Sequence, residues 1–217
     1  IFTKFSFFLN RFLGVASSTL ITYTVGLSGK RLKLEKIYKD IFAPYSFFTT
    51  AVVAFLIIFS DPVLYFYIGP YDQIIETNLI IMLFWSLLIP LYFGGNILIG
   101  INKHVNELSK NRFHQSLIKI FGLIVFGLVS PELSISLSYL LSSISLFSLL
   151  KLYKKVFINN IWAITNMHLK YFIFNLLVIT LLFLTYYFLK LNVFYTGIIT
   201  LIIYMLLFKR YFLKENL

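Results

Sequence analysis

Apolar runs of span length alternate with short polar clusters along the whole chain. Crossing the hydrocarbon core takes about 20 apolar residues, and fewer suffice inside a bundle. Seven segments meet that length: 5–27, 41–60, 77–100, 113–129, 133–150, 171–189 and 193–208. Between them lie a basic loop at 30–40, an acidic outer stretch at 61–76 and a basic loop at 101–112. A tight turn follows at Ser130, Pro131 and Glu132, and another at 190–192. The segment 156–169 is less apolar, and Phe157, Ile161, Trp162 and Ile164 suit either a helix lying in the interface or an irregular loop. Pro44 is expected in the first turn of the second span, where a missing N–H costs little.

The third span is the one whose pattern is interrupted. Pro90, then Gly94, Gly95 and Asn96, break an otherwise continuous apolar run. A proline inside a span frees a carbonyl, tolerated only where neighbours or a wet cavity satisfy it. Transporters use such breaks as hinges or sites, and a static kink packed in protein is the plainer reading. On the fifth span Ser134, Ser138, Ser142, Ser145 and Ser148 share about 120° of helical arc. Small hydroxylated residues there point to close helix packing rather than to a cavity wall.

Composition and charge fix the solvent. The 217 residues are 59% hydrophobic and only 12% charged, against about a quarter in ordinary globular chains. The bilayer is therefore expected to surround most side chains. The net charge of +11 sits in short clusters between apolar runs, which fits a membrane surface and not nucleic acid. With the 30–40 loop placed inside, the loops at 30–40, 101–112 and 151–169 and the tail at 209–217 hold fourteen of nineteen Lys and Arg. That asymmetry predicts an outer N-terminus and a cytoplasmic C-terminus. The chain starts at Ile1 with no signal-peptide pattern and reads as a piece of a longer protein.

Candidate chemistry is sparse. There are no cysteines, no HExxH, no G-x-S-x-G and no phosphate-binding loop, so an enzyme is not expected, nor a cofactor or metal. His104, His114 and His168 read as interfacial histidines, and Asp61, Asp72 and Glu76 as solvated charges. Lys119 lies about two turns into the fourth span on one helical face with Arg112, Gln115 and Ser116. It either snorkels to the inner surface or forms a basic cavity wall for an anion. Arg11, near the start of the first span, divides the same way.

The order of features resembles the C-terminal half of polysaccharide flippases of the multidrug/oligosaccharidyl-lipid/polysaccharide exporter superfamily. An apolar span leads into FSDPVLYFYIGPYDQ, the next ends in GGNILIG before a basic loop, and two helical hairpins close the chain. The family's Phe-Gly-x-x-Tyr type of turn has its counterpart in Tyr67-Ile68-Gly69-Pro70-Tyr71. The resemblance implies an all-α bundle of about seven transmembrane helices, part of a 14-helix, two-lobe exporter. Residues 1–150 would hold five spans of the C-terminal lobe, 151–169 a cytoplasmic loop or interfacial helix, and 170–217 the last helix pair and tail. It further implies a plasma-membrane flippase moving lipid-linked oligosaccharide by alternating access. Its partners would be membrane lipids, the glycan substrate and the missing N-terminal half of the same chain. Expected substrate contacts are Lys119, Arg112, Arg11 and Asn96, with a hinge at Pro90, Gly94 and Gly95. Rival readings are a drug or metabolite antiporter, which should need an intramembrane carboxylate, a membrane glycan polymerase or ligase, and a structural subunit.

Overall fold

A computed structural model describes residue 18 and residues 20–189. The expected seventh span, residues 5–17 and 19 of the first, and Arg11 lie outside the described residues. Helical backbone over 20–24 passes through a turn, with positive φ at Gly26 and Gly29, into α1, Arg31–Ile58. Then come α2, Ser60–Ile68; α3, Gln73–Leu87; α4, Ile89–Tyr92; α5, Gly95–Gly100; and α6, Val105–Val129. A 3-10 turn, Pro131–Leu133, leads to α7, Ser134–Ser142; α8, Ser145–Val156; and α9, Ile161–Leu189. Among the described residues there is no strand. Taking α3 to α5 as one rod, and the 3-10 turn, α7 and α8 as another, five helices among the described residues are long and apolar enough to cross a membrane.

Several expected boundaries move. The basic segment 30–39 is not a loop: it forms the first turns of α1, so Pro44 stands inside the helix instead of at its start. The outer stretch 61–76 is mostly helical: 61–68 belong to α2, which stops where Gly69 takes φ 73°, and 73–76 begin α3. The basic loop 101–112 shrinks to four residues, because α6 begins at Val105. Asn102 and His104 adopt left-handed φ of 50° and 57° in that turn. In the segment 151–169, α8 runs to Val156, a turn takes 157–160, and α9 starts at Ile161 and continues unbroken. At 31–40 and 105–112 a charged cluster extends a helix, since Lys, Arg and Glu are good helix formers.

Pairings follow from the polar contacts. Asn159 meets Glu35, His168 meets Ser46 and Asn175 meets Thr50, so α1 and α9 run parallel in constant register. Asn78 reaches Ser136 and Tyr92 reaches Ser145, which makes the α3–α5 rod parallel to the α7–α8 rod. α6 packs antiparallel on the latter, with Gly122 against Ser138 and Asn111 against Ser145. A Cβ on Gly122 would lie 3.0 Å from the Ser138 Cα, closer than side chains usually come, so glycine suits that approach.

The main core joins Tyr38 and Phe42 of α1, Ile97 and Leu98 of α5, Tyr153 of α8 and the turn residue Phe157. Tyr38 stacks on Phe42 at 5.2 Å and meets Phe157 edge-on at 5.5 Å. Only Leu108, Asn111 and Gly122 of α6 are buried, and it exposes Phe113, Leu117, Ile120, Phe121, Ile124 and Leu128. Water would disfavour an apolar stripe of that size; lipid would not.

Candidate functional site

The interrupted rod is the centre of the bundle. Its breaks are tightenings in which bonds change from i→i−4 to i→i−3: Leu91 N–H donates to Leu88 O and Asn96 N–H to Phe93 O, both at 3.1 Å. Each tightening deprives one carbonyl of its helical donor, Leu87 O at the first and Tyr92 O at the second. Side chains from other helices take both. His168 Nε2, from α9, lies 2.6 Å from Leu87 O, and the Tyr153 hydroxyl, from α8, donates to Tyr92 O at 3.0 Å. Neighbouring protein thus satisfies the breaks.

Pro90, Gly94 and Gly95, the expected hinge, are all buried. The Tyr153 ring lies where a Gly94 side chain would start, 2.7 Å from an ideal Cβ, and Leu108 lies 3.1 Å from one on Gly95. These glycines therefore provide room for α8 and α6. Asn96 is half-buried on the same rod.

Lys119 is half-buried on α6, seven residues beyond the exposed Arg112 and so about 10 Å further along the helix at 1.5 Å per residue. Its Nζ lies 4.2 Å from the Tyr139 ring centre and 5.7 Å from that of Trp85. Those rings meet edge-on at 5.1 Å. The Trp85 indole N–H is buried there without an acceptor among the described residues. The site gathers Lys119, Trp85 and Tyr139 from three helices. Arg112 and Ser116 share the α6 face but are exposed, so the structure does not bring Arg112, Asn96 and Lys119 into one cluster of contacts.

His168 is the residue sequence reasoning missed. It is 7% exposed, not interfacial, and its Nδ1 lies 2.5 Å from Ser46 Oγ. Leu87 O can only accept, so Nε2 carries the proton; Nδ1 is then the acceptor and the Ser46 hydroxyl donates. One imidazole so ties α1, α3 and α9 together. The signal was present: His168 and Asn175 stand seven apart, and Ile164, Ile179 and Leu182 share their burial. Treating 161–169 as a surface segment hid that face.

The basic end is clamped. Arg31 Nη2 donates to Lys154 O at 2.7 Å and Ile158 O at 3.0 Å, where the end of α8 presents free carbonyls and partial negative charge. Glu35, 6% exposed, accepts from Asn159 Nδ2 at 2.6 Å and pairs with Lys39 at 2.9 Å. At the opposite end Tyr71 donates to Asp61 at 2.6 Å, Ser60 donates to Glu76 at 2.5 Å, and Asp72 caps α3 through Ile74 N. The hydrogen bond to Asp61, then burial, then the charges of Glu76 and Asp61 push the Tyr71 phenol up to about 12. Among the described residues no group of three or more His, Asp or Glu could hold a metal.

The fold defines the class as far as it goes: an all-helical chain built from helices of membrane-crossing length and apolarity. No family model, curated protein or solved structure matches this chain.

Proposed function

We propose that this chain is the later part of a flippase that carries lipid-linked oligosaccharide across the plasma membrane by alternating access. It would be a polysaccharide-type member of the multidrug/oligosaccharidyl-lipid/polysaccharide exporter superfamily. The fragment's N-terminus would lie outside and its C-terminus in the cytoplasm. Membrane lipids and the N-terminal half of the same chain are its proposed partners. No bond is made or broken; the task is to shelter an anionic, hydroxyl-rich headgroup while its lipid tail stays in the bilayer.

The observation that carries this reading is the donor-rich spot at Lys119. A lysine at mid-span costs roughly 2.5–3.5 kcal/mol. Contact with the Tyr139 and Trp85 rings returns roughly 0.5–2 kcal/mol. The ammonium still has no carboxylate within ion-pair distance among the described residues, and the indole N–H beside it has no acceptor. Donors without acceptors, held by three helices, suit an anion such as a pyrophosphate.

The test uses the full-length protein in a flippase-deficient strain at matched membrane abundance. Lys119→Leu should lower glycan export by about tenfold or more, as loss of about 1.4 kcal/mol or more of binding implies. Lys119→Arg should retain more of the activity than Lys119→Leu. Normal export by Lys119→Leu removes the residue from the site and the reading with it.

A further inference from the structure

We propose that His168 is a proton-binding site whose occupancy controls the joint between α3 and α4. The neutral ring fits its surroundings completely: Nε2–H donates to the carbonyl that the break leaves over, and Nδ1 accepts from Ser46. A second proton, taken from water onto Nδ1, changes both terms. The ring becomes donor-only, so Ser46 must turn to accept and find a new acceptor for its own hydrogen. A full charge then stands among buried apolar groups, and burial of an unpaired charge is costly.

Nothing packed on the ring offers a counter-charge. α1 contributes Ser46 and the Phe42 ring, centred 6.0 Å away, and α3 contributes the Leu87 carbonyl. The ionisable groups nearest the ring on these elements are Tyr38 and Tyr45 on α1, Tyr92 on α4, Tyr153 on α8, and Tyr171 and the exposed Lys170 on α9. The acids of α1 stand further along it: exposed Asp40 is six residues from Ser46, about 9 Å along a helix, and Glu35 is eleven residues away and already held by Lys39 and Asn159. The tyrosines stay neutral where an imidazole titrates. Lys170 would repel the charge. On α3 the nearest acid, Glu76, is eleven residues from Leu87, about 16 Å along a helix. A bound proton must therefore be hydrated, and water can reach it only if α9 parts from α1 and the α3–α4 joint. Proton uptake and loosening of the joint are one event. This inference stands apart from the exporter reading, because its test needs no transport.

The full-length protein is reconstituted in lipid vesicles with histidine-selective nitrogen-15 labelling, and the His168 signal is assigned by its loss in His168→Gln. Gln keeps a donor for the Leu87 oxygen but cannot titrate. A cysteine reporter replaces Ser86, 6% exposed beside Leu87, and its maleimide rate is divided by that of a cysteine at the exposed Ser109. Between about pH 8 and pH 5, wild-type His168 should pass from the Nε2–H form to the doubly protonated ring. The normalised rate should rise severalfold over the same interval, and the His168→Gln rate should stay flat. A wild-type ring that remains neutral to pH 5, titration without a change in rate, or the same rise in His168→Gln would each overturn the proposal.

Discussion

At the residue scale, close approach and single hydrogen bonds make distinct demands. Gly122 has the Ser138 backbone 3.0 Å from where its Cβ would be, whereas Gly127 has nothing within 4 Å. Gly122→Ala should separate α6 from α7 and cost about 1–3 kcal/mol, as overpacking does. Gly127→Ala should be neutral or add up to about 1 kcal/mol through helix propensity. Thermal unfolding in detergent separates them; equal melting temperatures would contradict the packing described. At the acidic end, the Tyr71 phenol is raised from 10 to about 12. The bond to Asp61 is therefore fully present below the ordinary tyrosine value and lost as pH climbs through about 12. Ultraviolet titration should show Tyr71→Phe to lack one late-ionising phenol; an unchanged high-pH step would count against that bond.

At the element scale, the broken rod was legible and its partners were not. Pro90 cannot donate, and the Gly94–Gly95 pair follows at once, so an interruption in 77–100 can be read from the residues alone. What takes up the freed carbonyls is tertiary: His168 and Tyr153 come from helices some sixty to eighty residues later in the chain. The serine face is a similar case. Close packing was expected, and Ser138, Ser142 and Ser145 are buried while Ser148 is exposed; the buried hydroxyls also bond back along the chain, as Ser138 does to Ile135 O at 2.7 Å. A further tightening, between α7 and α8 at Ser143–Ile144, where both N–H groups bond three residues back, has no proline or glycine to announce it. Boundaries failed where charge was equated with loop, within 30–40 and 101–112, because charged helix formers carry a helix beyond its apolar part. If the joint works as a hinge in transport, Pro90→Ala should leave membrane levels near normal and slow export by the full-length protein. Unchanged export would leave a static, packed kink.

At the scale of the whole molecule, the described helices separate charge by end. The turns at 69–72 and 130–133 lie together, joined by Asn78 Nδ2 to Glu132 O at 2.8 Å, and carry acids without Lys or Arg. The basic segments 30–39, 103–112 and 151–155 gather at the other end, where Arg31 and Glu35 grip 154–159. An apolar middle between two such ends is what a bilayer selects, and the proposed orientation puts the basic end on the cytoplasmic side. The absence of native cysteine from this chain gives a clean background for the decisive measurement. Single cysteines at Gln73, Glu132, Ser109 and Asn160, all exposed, are treated in intact cells with a membrane-impermeant maleimide. The account predicts labelling at Gln73 and Glu132, and labelling at Ser109 and Asn160 only after the membrane is opened. Labelling of Ser109 or Asn160 from outside in intact cells would contradict it.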